Sequence, residues 1–112
     1  MLQTAGIIYA SEADVQDVEV IDEGDDRYTF NVNVRHDDEG WDHYADRWEI
    51  LNLQDEIIAV RVLRHPHLKQ ESFTRSLPFV PVHQDTKEVK VRAHCSVDGF
   101  TGKEVVIKLP GK

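Results

Sequence analysis

Arg27-Tyr28-Thr29-Phe30-Asn31-Val32-Asn33-Val34-Arg35 alternates without a break, with apolar side chains at 28, 30, 32 and 34 and polar ones between them. A period of two places alternate residues on one face of an extended chain. The stretch therefore predicts a strand with one buried and one wet face. The same period runs outward in both directions. Upstream, Asp17–Asp22 carries Val18 and Val20, and the acidic loop Asp22–Asp26 closes it. Downstream, Asp37-Asp38-Glu39-Gly40 turns the chain into Tyr44–Leu51, with Tyr44, Trp48 and Ile50 on one face. The polar loop Asn52–Glu56 leads to the β-branched run Ile57–Leu63, which Pro66 ends. Phe73–Leu77 reads as a short strand, while Pro78 and Pro81 confine Phe79–Val82 to an edge or a loop. Glu88–Val97 sets Val89, Val91, Ala93, Cys95 and Val97 on one face. A hairpin connection, Asp98-Gly-Phe-Thr-Gly102, then joins it to a last strand with Val105, Ile107 and Leu109 inward. No segment sustains a helical period.

About seven short strands with frequent turn signals predict an all-β fold, an immunoglobulin-like or fibronectin type III-like antiparallel β-sandwich. Trp48 falls on the third strand, where such folds often bury an aromatic side chain. The final two strands resemble the last hairpin of fibronectin type III domains. At 112 residues the chain is one domain, residues 1–112, large enough to form a core without metal or disulfide. Residues 1–12 are expected to be a flexible N-terminal segment.

Composition narrows the function classes. The single cysteine excludes a disulfide framework and every motif built on several thiolates. A net charge of −8 argues against nucleic acid as a partner, and no apolar run approaches the roughly 20 residues of a membrane-spanning helix. Residues 1–56 carry 16 acids and 3 bases, whereas residues 57–112 carry 5 acids and 10 bases. In a sandwich with interleaved strands, that asymmetry predicts cross-strand ion pairs. The N-terminus has neither the basic region nor the apolar stretch of an intact signal peptide.

Three segments are less generic than strand filler: Trp41-Asp-His-Tyr-Ala-Asp-Arg-Trp48, Arg64-His-Pro-His67 and Ser72-Phe-Thr-Arg-Ser-Leu77. They resemble blocks shared by a family of small, uncharacterised bacterial β-sandwich proteins, and the resemblance covers roughly residues 28–109. Members often follow a secretion signal. The resemblance therefore implies an extracytoplasmic home, periplasmic or secreted, for a processed chain, and it supplies no catalytic residue.

Metal binding is the sharpest chemical reading. His65 and His67 stand at i and i+2 around a proline, a spacing that turns both imidazoles to one side of an extended segment. His43 begins the third strand, and the 65–67 loop follows the fourth. A hairpin through residues 52–56 would bring these ends together. His43, His65 and His67 are thus the predicted metal ligands, with Asp42 and Asp46 as further ligands or orienting acceptors. Arg75 is expected either to pair with Asp42 or Asp46 or, as an exposed side chain, to contact a carbonyl. Such a set suits copper, zinc, nickel or iron without selecting among them. The plainer alternative makes His65 and His67 loop residues and has His43 hydrogen-bond within its turn.

Superoxide reductase, an iron enzyme on an immunoglobulin-like fold, offers a comparison because its Cys-x-x-His-Gly ligand pattern would fall on Cys95–Gly99. Asp98 stands where that histidine belongs. Alternation also places Cys95 on the apolar face, where a thiol ordinarily acts as a small hydrophobe. The other catalytic templates, a nucleophile elbow, a phosphate-binding glycine loop or a His-Glu-x-x-His zinc motif, are absent. The acidic turns do not have the spacing of a calcium-binding EF-hand loop.

The competing class is a binding module in which Trp41 and Phe100, if exposed at loop tips, anchor a carbohydrate or protein. The sequence thus predicts a monomeric, non-enzymatic binding or accessory domain for a protein or small ligand, requiring no cofactor. The alternative is a histidine-based protein holding a copper, zinc or iron ion.

Overall fold

The computed structural model describes residues 12–68 and 72–112. Seven strands account for the regular structure: β1 (Asp14–Gly24), β2 (Arg27–Arg35), β3 (Ala45–Leu51), β4 (Ile57–Val62), β5 (Ser72–Pro81), β6 (Glu88–Cys95) and β7 (Val105–Lys108). No helix occurs among the described residues, so none is long and apolar enough to cross a membrane. The expected flexible N-terminal segment falls, apart from Glu12, outside the described residues.

The strands form two antiparallel sheets, β1-β2-β5 and β4-β3-β6-β7. The alternation in β2 is realised as expected: Tyr28, Phe30, Val32 and Val34 are buried and the residues between them are not. Val89, Val91, Ala93 and Cys95 do the same in β6. These inward sets join Trp48 and Ile50 of β3, Val15 and Val18 of β1, and Phe73 and Val80 of β5 in one apolar cluster. The two sheets therefore face each other across a shared core. Trp48, fully buried at its centre, contributes the largest apolar area; truncating such a side chain to alanine costs about 3–5 kcal/mol.

β5 runs further than the expected Phe73–Leu77 because a proline cannot donate only to a ladder that asks for its N–H. β5 is the edge of its sheet and pairs with β2 alone. Its register to β2 slips between Leu77, opposite Phe30, and Val80, opposite Tyr28, so Pro78 and Phe79 form a bulge against Thr29. Phe79 takes a left-handed φ of 53° there and donates its N–H to Thr29 Oγ1 at 3.2 Å. β1 also begins earlier than expected, at Asp14, because its pairing continues to the end of β2 at Arg35.

The charge asymmetry between the chain halves resolves into ion pairs. Glu49 of β3, almost buried, receives Arg92 of β6 at 2.9 Å and Arg47 of its own strand at 3.0 Å. Lys90 meets Asp55 at 2.5 Å, and Lys112 lies 3.5 Å from Asp26. The exposed pairs stabilise by about 0–1 kcal/mol each.

Antiparallel pairing sorts the connections into two poles. The ends of β2, β4 and β6 and the starts of β1, β3, β5 and β7 gather at one pole; the loops 25–26, 52–56 and 82–87 lie at the other. At the first pole Val15 donates to the Lys103 carbonyl at 2.8 Å, and Lys103 donates to Asp14 Oδ1 at 2.7 Å. Gly102 passes so close that a Cβ there would stand 2.0 Å from the Ala13 carbonyl oxygen.

Candidate metal centre

The site grows from the turn between β2 and β3. Past Arg35 the alternation of β2 continues for one more inward residue, so His36 is buried where a strand would place an apolar side chain. The chain then folds back on itself: Glu39 donates to the His43 carbonyl at 2.9 Å and His43 to the Gly40 carbonyl at 3.2 Å. This narrow turn swings the His43 imidazole against that of His36, edge to face, with centroids 5.1 Å apart. Cys95 arrives from β6, the last inward residue of its strand, and is completely buried. A tight turn holds it, with paired backbone hydrogen bonds between Cys95 and Gly99 at 2.8 and 2.9 Å; Gly99 supplies the φ of 72° the turn needs.

One ring nitrogen each from His36 and His43 and the Cys95 sulfur all lie within 4.8 Å of one another. Donors of a tetrahedral zinc-type centre stand about 3.3–3.6 Å apart, given metal–nitrogen and metal–sulfur bonds of about 2.0 and 2.3 Å, so the triad closes on an ion by small side-chain movements.

Carboxylates orient both imidazoles. His36 Nδ1 is in short contact with Asp38 Oδ1, and His43 Nδ1 lies 2.6 Å from Glu39 Oε1. An ionised carboxylate only accepts, so each Nδ1 carries a proton and faces its carboxylate. His43 Nε2 is shielded from solvent and has no hydrogen-bond partner. A histidine ligand whose far nitrogen donates to a carboxylate is the usual arrangement around a bound metal.

Asp38 ties the pole together. Besides His36, its carboxylate accepts from the N–H of Ala45 at 3.0 Å and of His67 at 2.6 Å. Burial pushes its carboxyl group up, but the hydrogen bonds from His36, His67 and Ala45 outweigh this and hold it below the usual carboxylate range. Burial pushes the Cys95 thiol up, and the negative charges of Asp98 and Asp46 push it the same way.

The predicted ligand trio is divided. His43 stands in the centre, while its companions there are His36 and Cys95 rather than His65 and His67. His65 and His67 do lie side by side, with ring centroids 4.9 Å apart. However, His67 stacks on Phe73 at 3.8 Å and accepts from the Arg75 guanidinium at Nε2, 2.9 Å away. Its ring is held neutral, with burial and then the Arg75 and His65 charges lowering its proton affinity. Exposed His65 has Nδ1 3.2 Å from the Pro66 carbonyl. Arg75 therefore serves His67 and, at 2.8 Å, the Thr74 carbonyl, which is the alternative contact, rather than Asp42 or Asp46. Asp46 lies 2.6 Å from His94 Nδ1, and Asp42 is exposed in the turn. The orienting carboxylates are Asp38 and Glu39, read from the sequence only as members of an acidic turn.

Of the aromatic residues considered for a platform, Trp41 is 66% exposed and meets Tyr44 edge to face at 5.7 Å. Phe100 is half-buried, and the Arg92 guanidinium lies over its ring at 3.9 Å.

No family model matches the sequence, and no solved structure matches it. The chain is 36% identical over 96 residues to a protein of Halomicrobium mukohataei described as "Putative lipoprotein". The match covers 86% of this chain and 47% of that protein, so the chain spans about half the length of the relative.

Proposed function

We propose that this chain is an extracytoplasmic accessory domain of the immunoglobulin or fibronectin type III kind, which binds one transition-metal ion through His36, His43 and Cys95. The observation that carries the reading is the convergence of two carboxylate-oriented imidazoles and a buried thiol within 4.8 Å. The strand order supports the fold type: β3, β6 and β7 lie together as the C, F and G strands of immunoglobulin-like domains do, with β4 added beside β3 and β1-β2-β5 opposite. The relative's description as a lipoprotein supports the location. A lipoprotein is tethered at a membrane surface, where a small domain that retains a metal ion can store it or pass it on.

Chemically, the triad offers one soft and two borderline donors, a set suited to zinc and copper rather than to magnesium or calcium. NMR titration of metal-stripped protein with Zn²⁺, following all six imidazoles, tests the assignment. His36 and His43 are expected to shift saturably at one ion per chain, with His65, His67, His83 and His94 responding only weakly. Saturable shifts confined to His65 and His67, or none at all, would sink the reading.

A further inference from the structure

The hairpin turn that carries Cys95 holds one more group without a partner. Asp98, three residues on, is half-buried, and its Oδ2 is shielded from solvent with no hydrogen-bond partner. Its backbone N–H points at the Cys95 sulfur, 3.4 Å away, the contact that steadies a metal-bound thiolate. A carboxylate oxygen left both dry and unpaired is costly unless something compensates its charge. Among the described groups near the thiol, Asp98 and Asp46 bring negative charge, and Asp46 is already engaged by His94.

Resting on the metal-centre reading above, we propose that Asp98 is the fourth donor of that centre and that the ion it selects is divalent, of the Zn²⁺ class, rather than Cu⁺. Each of two loops then supplies a pair of donors: His36 and His43 from the β2–β3 turn, Cys95 and Asp98 from the β6–β7 turn. His36, His43 and Cys95 stand within 4.8 Å of one another; Asp98 lies outside that group but is held against it by its backbone contact with the Cys95 sulfur, and its carboxylate would complete the set by turning about its own side chain. Four donors complete the tetrahedron that a closed zinc site requires. Charge decides between the ions. A divalent cation with one thiolate and one carboxylate is neutral, whereas Cu⁺ on the same donors leaves a buried net negative charge, which the low-dielectric pole disfavours. On binding, the metal–sulfur bond replaces the S–H bond of Cys95 and one proton leaves to solvent.

The test uses the purified chain with Co²⁺ and Zn²⁺ as probes. The wild type is expected to bind one Co²⁺ with the strong visible bands of a four-coordinate ion and one thiolate-to-cobalt charge-transfer band. Asp98→Asn should weaken Zn²⁺ binding at least about 10-fold, the lower end of what losing even an outer-shell partner of a metal site costs. Asp98→Cys should retain four-coordination and roughly double the charge-transfer intensity, because a second thiolate takes the vacated position. Unchanged Zn²⁺ affinity in Asp98→Asn together with an unchanged charge-transfer band in Asp98→Cys overturns the role of Asp98. So does wild-type preference for Cu⁺ over Zn²⁺ in direct competition. If in those cases Cys95→Ser abolishes the charge-transfer band, the three-donor centre survives; if the wild type binds no Co²⁺ or Zn²⁺, both readings fall together.

Discussion

Asp38 does more than any other single side chain at the site pole. It fixes His36, caps the start of β3 through the Ala45 N–H and pins the loop after β4 through the His67 N–H. Replacing it with alanine strands these donors in a buried place and is expected to cost about 3–5 kcal/mol, read from chemical denaturation. Its depressed pKa gives a sign to the acid response. The folded state holds Asp38 ionised, so the unfolded chain binds more protons near its ordinary pKa of about 3.9, and the stabilisation is lost as pH falls from there through the folded value. His67 acts earlier in the descent. Its lowered folded pKa means that the unfolded chain takes up the proton first, so stability declines as pH drops below about 6.5. Thermal unfolding measured from pH 7 to pH 3 should show both declines, and Asp38→Asn should shrink the lower one, leaving the part carried by Glu49, whose carboxyl is pushed up by burial but held low by its two arginine partners. Residue roles of this kind were the least legible in the sequence. Asp38 looks like any acid in a turn, His36 lies one step beyond a finished strand, and Cys95 belongs to the apolar alternation that hides it as a core residue.

At the level of elements, period-two alternation made β2, β3, β6 and β7 legible, because a strand half in water must separate its residues by face. β5 was legible only to Leu77. Proline ends a strand when the neighbour on its N–H side needs that donor, and an edge strand with a bulge places it where no partner asks. The pole shared by the third and fourth strands followed from the hairpin through 52–56, whereas the approach of His36 and Cys95 to His43 did not. These three residues come from connections far apart in sequence, and their approach depends on which strands neighbour each other across β3 and β6. The β6–β7 connection also clasps the start of β1, with Gly102 against the Ala13 carbonyl. Gly102→Ala forces backbone against backbone and is expected to destabilise by about 1–3 kcal/mol in equilibrium unfolding, with earlier amide exchange at the start of β1.

For the whole molecule, the excess of acid over base matters more than any one ion pair. Pairing across strands neutralises part of it, but a net charge of −8 on 112 residues remains and repels itself in the compact state. Raising sodium chloride from about 0.02 M to 0.5 M shortens the Debye length from roughly 20 Å to 4 Å and should raise the melting temperature by a few degrees. A fall in melting temperature would mean that screened attractive pairs, Lys90 with Asp55 and Lys112 with Asp26, outweigh the repulsion. The two-pole layout also gives the domain a direction. Chain entering β1 does so beside His36, His43 and Cys95, while chain leaving β7 departs from the opposite pole, beside the start of β6 and so about 25 Å away along that strand's eight residues. In a longer polypeptide, anything upstream would be leashed next to this His–Cys cluster and anything downstream kept at arm's length. Copies strung head to tail would therefore alternate cluster and spacer with a fixed polarity, like links of a chain that can be threaded only one way.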